Sequence, residues 1–198
     1  VPIGDESSQA ALVVSSNTSN GTVTVTEQDG SQTTFKADGT KWRPVCVRDT
    51  AIGRTIFSKY DSAGYVTHTG TVASTIGCGT IPTTLSQGLE YSYVTVNGSQ
   101  VLDKVSYFYP GQAAAVQAQY GYDSTGRLVS VQNLPGTTSS TTTTYSYNAS
   151  GLVETVTDSG FAPYRYRYDS MNRLVQVQRT QSPTGTAITA VEASFVYD

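Results

Sequence analysis

The sequence is poor in the residues from which most catalytic and metal sites are built. It has one histidine, His68, and two cysteines, at scattered positions that do not make a zinc site. Any catalytic triad would have to use His68, whose threonine-rich setting is typical of an ordinary sheet side chain. Glycine-rich phosphate loops and the His-Glu-x-x-His, Gly-x-Ser-x-Gly and EF-hand patterns are also absent from the sequence. We therefore expect a protein that is not an enzyme and that binds neither a cofactor nor a metal.

Charge and long apolar runs are also scarce. Charged residues make up 14% of the chain and the net charge is −3, so the sequence offers no basic field for phosphate backbones. No apolar run approaches the roughly 18 to 20 residues that a membrane helix needs. Residues 1–6 lack the basic start and apolar core of a signal peptide. We expect a soluble chain that neither binds nucleic acid nor inserts into a membrane.

The two cysteines, Cys46 and Cys78, allow two interpretations. A disulfide between them would close a loop worth roughly 3 to 4 kcal/mol by the chain-entropy relation. Alternatively, they are unrelated small residues, with Cys46 buried between two valines and Cys78 in a turn between two glycines. Both interpretations stay open at the level of the sequence.

The composition is richer in tyrosine, glycine, serine and threonine, and poorer in aliphatic residues, than that of a compact globular protein. The apolar fraction is 37%, and there are 14 tyrosines and 18 glycines against a single tryptophan. This composition is typical of many short strands and turns. The length fits one domain, or a piece of a larger one, and is sufficient to bury a core.

Alternating polar and β-branched residues around turn dipeptides predict two hairpins outside the repeats described below. One covers residues 22–35 and turns at Asp29-Gly30, and the other covers residues 89–109 and turns at Asn97-Gly98. Between them, Pro44 is expected at a sheet edge or at a strand start, because proline cannot donate to a ladder.

A pattern of twelve residues recurs three times, at residues 120–131, 145–156 and 166–177. A degraded relative covers residues 59–69, and residues 195–198 begin another copy. Each full copy opens with two tyrosines separated by one residue, and residues two apart in a strand share a face, so the pairs predict an incoming strand. The repeat tyrosines are Tyr120, Tyr122, Tyr145, Tyr147, Tyr166 and Tyr168.

An aspartate or asparagine follows each tyrosine pair, and a glycine or asparagine comes three residues later. A hairpin turn requires such a side-chain acceptor at its first position and a residue that tolerates positive φ at its last. Because the position recurs, the aspartates are interpreted as turn residues rather than as acid/base pairs. The predicted turn residues are Asp61, Gly64, Asp123, Gly126, Asn148, Gly151, Asp169 and Asn172.

The residues after the turn predict contacts between the repeats. Arg127 and Arg173 are expected to act as struts, either by pairing with a neighbouring turn's aspartate or by lying over a tyrosine ring. Leu128 and Val131 lie three positions apart, so a flat strand would place them on opposite faces. Either a bulge intervenes or both faces of the sheet are partly covered.

The unit resembles the YD repeat, also called the RHS repeat, whose consensus runs Tyr-x-Tyr-Asp-x-x-Gly-Arg-Leu-x-x-Val. The resemblance is close over residues 120–177 and looser over residues 23–69. It implies an all-β fold in which antiparallel β-hairpin repeats form a curling sheet, part of an RHS/YD-repeat shell. The organisation expected is a single β-domain. It has N-terminal hairpins with a degenerate repeat over residues 1–69, an irregular connection and a hairpin over 70–119, and YD repeats over 120–198.

Shells of this family occur in bacterial polymorphic toxins, insecticidal toxin complexes and animal teneurins, and in the bacterial members they enclose a C-terminal toxin. The resemblance therefore implies a non-enzymatic structural segment of a secreted or cell-surface protein, expected to be bacterial. Its implied partners are the remainder of the parent RHS protein and its C-terminal cargo. The family's self-cleaving Asp-Pro-x-Gly-Leu motif has no match in this sequence.

Two further partners are expected from the residues themselves. Exposed tyrosines bordered by polar side chains raise a second hypothesis, an extracellular module that binds a carbohydrate or a receptor. A strand at residues 195–198 without a hairpin partner would leave a sheet edge. We expect either edge-to-edge self-association or a longer parent protein from which this piece is cut.

Overall fold

The computed structural model describes residues 12–73, 76–180 and 188–197. In this part of the chain all regular structure is β, so the prediction of an all-β fold of antiparallel hairpins is confirmed. Fifteen described strands form one sheet in chain order, each beside the next. The described ranges contain no helix that is long and apolar enough to cross a membrane.

The strands are β1 (Val13–Asn17), β2 (Thr22–Thr26), β3 (Gln32–Asp38), β4 (Lys41–Asp49), β5 (Arg54–Tyr60), β6 (Val66–Thr71), β7 (Gln87–Val96), β8 (Ser99–Phe108), β9 (Ala115–Tyr122), β10 (Leu128–Asn133), β11 (Thr141–Tyr147), β12 (Val153–Asp158), β13 (Tyr164–Tyr168), β14 (Leu174–Thr180) and β15 (Ile188–Ser194). The chain forms two compact units. The first contains residues 1–91 and 107–115, and the second contains residues 92–106 and 116–198. The division at residues 69 and 119 stays a prediction.

The two hairpins predicted outside the repeats are both present. β2 pairs with β3, and between them Gly30, at φ 83°, donates its N–H to the carbonyl of Glu27 at 3.0 Å. β7 and β8 are joined by Asn97 and Gly98, at φ 48° and 76°. Positive φ at both central residues is the requirement of a two-residue hairpin whose twist matches its strands.

The sequence predicts Pro44 at a sheet edge or at a strand start, and both alternatives are wrong. Pro44 lies inside the nine-residue strand β4, which has β3 on one side and β5 on the other. The pairing of β3 with β4 shifts register here, because Thr34 lies opposite Cys46 while Phe35 lies opposite Pro44. On the other side, the pairing of β4 with β5 begins only at Cys46. A bulge interrupts the ladder where proline has no N–H to donate, so the strand continues through it.

A bulge at the same position in each repeat explains the spacing of Leu128 and Val131. Leu128 pairs with Tyr122 and Val131 pairs with Tyr120, so both aliphatic residues share a face with the tyrosines. One extra residue on the outgoing strand, Val129, shifts the alternation by one. The same shift occurs in the hairpins β11/β12, β13/β14 and β5/β6. Of the two alternatives left open by the sequence, the bulge is correct.

The two faces of the sheet in the second unit differ in chemistry. We call one the tyrosine face, after its aromatic and aliphatic members Tyr120, Tyr122, Leu128, Val131, Tyr145, Tyr147, Val153, Val156, Tyr164, Tyr166, Tyr168, Leu174 and Val177. We call the other the polar face, and its members are Gln119, Ser130, Gln132, Thr142, Thr144, Ser146, Thr155, Thr157, Arg165, Arg167, Gln176 and Gln178. The cross-strand partners place each set on its own side.

The buried core is small and lies in the first unit. Cys46, Phe57 and Cys78 form its centre, and aliphatic residues of the connection between β6 and β7 pack against them. These are Val72, Ile76, Ile81 and Leu85. The length of the chain implies a larger core, but strands that contact mainly their neighbours in one sheet leave most side chains half-buried.

The last strand ends before the residues that begin the fourth copy of the repeat. The sequence predicts a strand at residues 195–198, whereas β15 ends at Ser194 and Asp198 lies outside the described residues. Phe195 nevertheless continues the ladder for one step, since its N–H donates to the carbonyl of Val175 at 2.9 Å.

Candidate functional site: repeat turns and tyrosine clamps

The aspartate of the first full repeat organises its turn through both carboxylate oxygens. Oδ1 of Asp123 accepts the backbone N–H groups of Thr125, at 2.9 Å, and Arg127, at 3.0 Å. It also accepts the hydroxyl of Thr125 at 2.7 Å. Oδ2 accepts Nε–H of Arg127 at 2.8 Å. The carboxylate thus pairs the N–H groups that a three-residue loop would leave open.

The other copies repeat this turn. In each, the first residue accepts the N–H of the last residue of the loop and donates its own N–H across the loop. Asn148 accepts the N–H groups of Ser150 and Leu152, both at 3.0 Å, through its side-chain oxygen. Asp169 accepts those of Met171 and Arg173, both at 2.9 Å. In the degraded copy, Asp61 accepts the N–H of Tyr65 at 2.9 Å.

The last loop residue lies in the left-handed region in each turn. Gly126 has φ 90° and Asn172 has φ 61°. Asparagine adopts this conformation at lower cost than other side-chain-bearing residues, so Asn172 substitutes for glycine without loss of the turn. Gly64 and Gly151 occupy the equivalent positions, at φ 87° and 78°.

These hydrogen bonds hold the turn carboxylates in their charged form. The pKa of Asp123 lies far below its usual range, first because the Thr125 hydroxyl donates to it and then because the Arg127 N–H does. The pKa of Asp169 is also lowered, first by the backbone N–H of Arg173 and then by its guanidinium. Donors to the charged form stabilise it relative to the protonated form.

We predict that Asp169→Asn removes part of the chain's acid sensitivity. A carboxylate whose folded pKa is depressed contributes stability that is present above its unfolded pKa of about 3.9 and is lost as the pH falls through the folded pKa. The asparagine of the variant supplies an amide oxygen that can accept the turn N–H groups, as that of Asn148 does, but it cannot titrate. Proton uptake on unfolding, measured from urea midpoints between pH 4 and pH 2, should fall by up to about one proton. An unchanged pH slope would contradict this.

The second tyrosine of each copy connects its hairpin to the preceding one. We call this contact the tyrosine clamp: the phenol O–H donates to a backbone carbonyl on the outgoing strand of the previous hairpin. The five donor and acceptor pairs are Tyr60 to Pro44 at 2.7 Å, Tyr122 to Leu102 at 2.8 Å, Tyr147 to Leu128 at 2.6 Å, Tyr168 to Val153 at 2.9 Å and Tyr197 to Leu174 at 2.8 Å. Burial raises the pKa of Tyr60, Tyr122 and Tyr168, so these phenols stay protonated donors.

An arginine covers the clamped ring wherever one precedes the acceptor residue. The guanidinium of Arg127 lies 4.7 Å from the ring centroid of Tyr147, and that of Arg173 lies 4.6 Å from Tyr197. Both arginines also pair with the aspartate of their own turn at 2.8 Å, not with a neighbouring turn's aspartate. Each therefore links the turn of one repeat to the tyrosine of the next.

The first tyrosine of each copy has a different role. Tyr120, Tyr145 and Tyr166 are half-buried on the tyrosine face. These first tyrosines pack across strands against a valine, as Tyr145 does against Val156.

We predict that Tyr147→Phe lowers the free energy of unfolding by about 1 kcal/mol, because the carbonyl of Leu128 loses its donor while the ring under Arg127 is kept. The matched control is Tyr145→Phe, whose hydroxyl has no hydrogen bond within the described residues. Urea unfolding followed by circular dichroism measures both. Equal losses in the two variants would show that the clamp contributes nothing.

The cysteines, for which the sequence allowed two interpretations, form a disulfide in the structure. Cys46 and Cys78 are joined, with their Cα atoms 5.6 Å apart. Cys46 lies on β4 and Cys78 on the connection between β6 and β7, so the bond attaches that connection to the sheet.

Two of the five clamping tyrosines, Tyr60 and Tyr197, are not among the repeat tyrosines that the sequence predicts. Two positions before Tyr60 stands Ser58, and two positions before Tyr197 stands Phe195, so neither shows the full Tyr-x-Tyr pattern. Arg43 lies over Tyr60, 5.4 Å from the ring centroid, and pairs with Asp38 at 2.5 Å. The signal that could have found this site is an aspartate followed five residues later by arginine, ahead of a tyrosine.

These residues form structural links between hairpins. Their polar atoms are engaged with one another, as the pairs of Asp123 with Arg127 and of Tyr147 with Leu128 show. In the described part of the chain, no three His, Cys, Asp or Glu side chains are grouped so that they could hold a metal ion. The arrangement connects one hairpin to the next along the sheet.

Comparison with known proteins finds similarity to one family and to solved structures. No curated protein matches the sequence. The chain is similar to the crystal structure of TcdB2-TccC3-TEV, with a TM-score of 0.45 and 13% identity over 75% of this chain. It is also similar to that of TcdB2-TccC3-Cdc42, with a TM-score of 0.42 and 14% identity over 91% of this chain. The chain spans 7% and 11% of the length of those two chains. Residues 48–189, which are more than half of the chain, match the teneurin YD-shell, and the chain belongs to this family of shell-forming structural sheets.

Proposed function

We propose that this chain is a non-enzymatic wall segment of an RHS/YD-repeat shell that encloses or presents a toxin or other cargo of a larger secreted or cell-surface protein. The observation that carries the proposal is the tyrosine clamp, which recurs at five hairpin junctions. A contact that joins each hairpin to the one before it extends a sheet one repeat at a time. Its proposed partners are the remainder of the parent protein and its C-terminal cargo.

The different chemistry of the two faces supports a wall. In the second unit the tyrosine face carries the repeat tyrosines and aliphatic residues, with Thr143, Asp158 and Arg179 beside them, whereas the polar face carries Ser, Thr, Gln and Arg side chains. A layer of this kind separates two environments while its backbone hydrogen bonds are satisfied within the layer. Bacterial origin is part of the proposal and rests on the family resemblance alone.

Protection of the cargo in the full-length parent protein tests the proposal. We expect the region that follows the repeats to resist limited proteolysis in the parent and to be cut rapidly when it is expressed alone, as mass spectrometry of the fragments would show. Combining Tyr147→Phe with Tyr168→Phe should increase the cleavage rate several-fold, because two junctions lose their clamps. The control pairs Tyr145→Phe with Tyr166→Phe.

Two results would contradict a wall that encloses cargo. One is a cargo region that is cut equally fast in the parent and alone. The other is equal protection of the cargo in the clamp and control variants, provided that both retain the wild-type sheet signal in circular dichroism.

A second candidate function is binding of a glycan or receptor, and one observation favours it. Tyr107 and Tyr109 are 38% and 44% exposed, and their rings lie 5.7 Å apart at an angle of 37°. Paired, exposed aromatic rings suit the flat face of a sugar. A glycan array with the isolated chain tests this. The double variant Tyr107→Ala, Tyr109→Ala should lose binding. The control is Tyr147→Ala, which removes a clamped ring and should retain binding.

Self-association through the sheet edges is also part of the proposal. β1 and β15 are the outer strands of the described sheet, and Val13 and Val14 on β1 are exposed. A strand edge offers backbone donors and acceptors to a second copy. Sedimentation velocity should show concentration-dependent dimers, and a monomer at all concentrations would contradict this.

A further inference from the structure

Three neighbouring strands of the first unit bring three ionisable side chains into one row. Lys59 on β5 pairs with His68 on β6, and His68 pairs with Glu90 on β7. Cross-strand partners lie on the same face of a sheet, so the three side chains are neighbours. Nε2 of His68 lies 3.9 Å from Oε1 of Glu90, and the two side chains are 38% and 46% exposed. The row is therefore accessible from solvent.

A cavity of about 300 Å³ opens beside this row. Its lining residues are Lys59, His68, Thr84, Leu85 and Phe108. The Nζ of Lys59 donates to the carbonyl of Thr83, which fixes the ammonium group at the wall. The ring of Phe108 meets the imidazole of His68 edge to face, with centroids 5.6 Å apart. The volume is at the lower end of the range for pockets that bind small organic molecules.

The lining combines two basic side chains with two apolar ones and a threonine. Lys59 is a permanent cation at neutral pH, and His68 becomes one on protonation. Glu90, the carboxylate of the row, does not line the cavity. Leu85 and Phe108 provide the apolar part of the lining.

A second cavity, of about 350 Å³, differs from this one in the charges of its lining. Its lining includes cationic side chains together with Asp38 and Asp61, so both signs of charge are present. Such a lining carries both signs of charge, whereas no carboxylate lines the cavity at His68.

We propose that the cavity at His68 binds a small organic monocarboxylate with an aromatic or aliphatic body. The ammonium group of Lys59 and the imidazolium of His68 hold the carboxylate, and Leu85 and Phe108 pack against the body. A carboxylate between two cationic donors forms charge-assisted hydrogen bonds. This site is independent of the proposed role in a shell.

Affinity for such a ligand depends on pH through His68. The groups that face this imidazole are Lys59 on β5, Glu90 on β7 and the ring of Phe108 on β8. The ligand prefers the imidazolium to the neutral imidazole, so its affinity rises with the fraction of protonated His68 and falls again near pH 4 as the ligand itself is protonated. By reciprocity, bound ligand raises the pKa of His68.

Nuclear magnetic resonance of the intact chain tests the proposal directly, because His68 is the only histidine and its ring signals need no assignment. The probe is phenylacetate, and its neutral analogue is phenylacetamide. We expect phenylacetate to bind more tightly at pH 5.5 than at pH 7.5, to shift the ring signals of His68, and to raise its titration midpoint. Phenylacetamide should bind about tenfold more weakly or worse, since it lacks the charge.

Variants separate the site from the rest of the surface. Lys59→Met keeps the aliphatic stem and should weaken phenylacetate binding about tenfold or more. His68→Gln should remove the pH dependence of the affinity. Lys104→Met, at a lysine outside the cavity, should bind as the wild type does, and thermal midpoints check that all variants fold.

Three outcomes would overturn the proposal. They are equal binding of phenylacetamide and phenylacetate, wild-type affinity in Lys59→Met, and binding that leaves the His68 titration unchanged. The last measurement is made on the wild-type chain, so it decides the proposal even where a variant fails to fold.

Discussion

Removing the Cys46–Cys78 disulfide is expected to lower the free energy of unfolding of the first unit by about 3 to 4 kcal/mol. The two cysteines are separated by 32 positions, and the bond restricts a loop of that length in the unfolded chain. In the folded chain it holds the connection between β6 and β7 against the small core, where Ile76 and Ile81 contact it. With so few buried apolar residues, little else replaces this contribution.

Tryptophan fluorescence measures the effect in the relevant unit. Trp42 is the only tryptophan of the chain and lies on β4, four positions from Cys46. Urea unfolding is compared with and without a thiol reductant, and the control is the Cys46→Ala, Cys78→Ala variant, on which the reductant should have no effect. Equal midpoints for the oxidised wild type and the double variant would show that the bond does not stabilise this unit.

Truncating Phe57 is expected to have an effect of similar size, a loss of about 3 to 5 kcal/mol for Phe57→Ala. Phe57 is 1% exposed and is the largest fully buried side chain in the described part of the chain. It lies opposite Cys46 across β4 and β5 and belongs to the same cluster. Alanine would leave a cavity that a sheet held by its backbone ladder cannot close.

The neighbouring residue provides the control. Ile56 is 45% exposed and points to the opposite face, where it pairs with Val47. Ile56→Ala should cost less than about 1 kcal/mol, since most of the cost of a large-to-small change comes from buried volume. Trp42 fluorescence again measures both variants. Similar losses in both would mean that the connection between β6 and β7 does not form a core over Phe57.

The turns could be predicted because their information is local. The turn requires a side-chain acceptor, Asp123, and three positions later a residue that tolerates positive φ, Gly126. Asp169 and Asn172 meet the same two requirements in the third copy. Hydrogen bonds between residues so close in sequence depend little on the rest of the fold. The hairpin at Asn97-Gly98 follows the same logic.

The junctions could not be predicted in the same way. The tyrosine clamps end on backbone carbonyls, such as those of Leu128 and Pro44, and a carbonyl acceptor has no signature in the sequence. Arg127 could be expected to contact a tyrosine, but which aspartate it pairs with depended on the geometry of its own turn. The bulge beside Leu128 was one of two alternatives until strand pairing selected it.

The sequence by itself determined the β-hairpin repeat, the position of each turn and membership of a YD-type family, because each follows from residues within a dozen positions of one another. Only the tertiary structure decided that Cys46 reaches Cys78, that Pro44 is carried inside a strand by a bulge, and that Lys59, His68 and Glu90 share one row. These depend on which strands become neighbours and in which register, and register is set by the whole sheet rather than by any one segment.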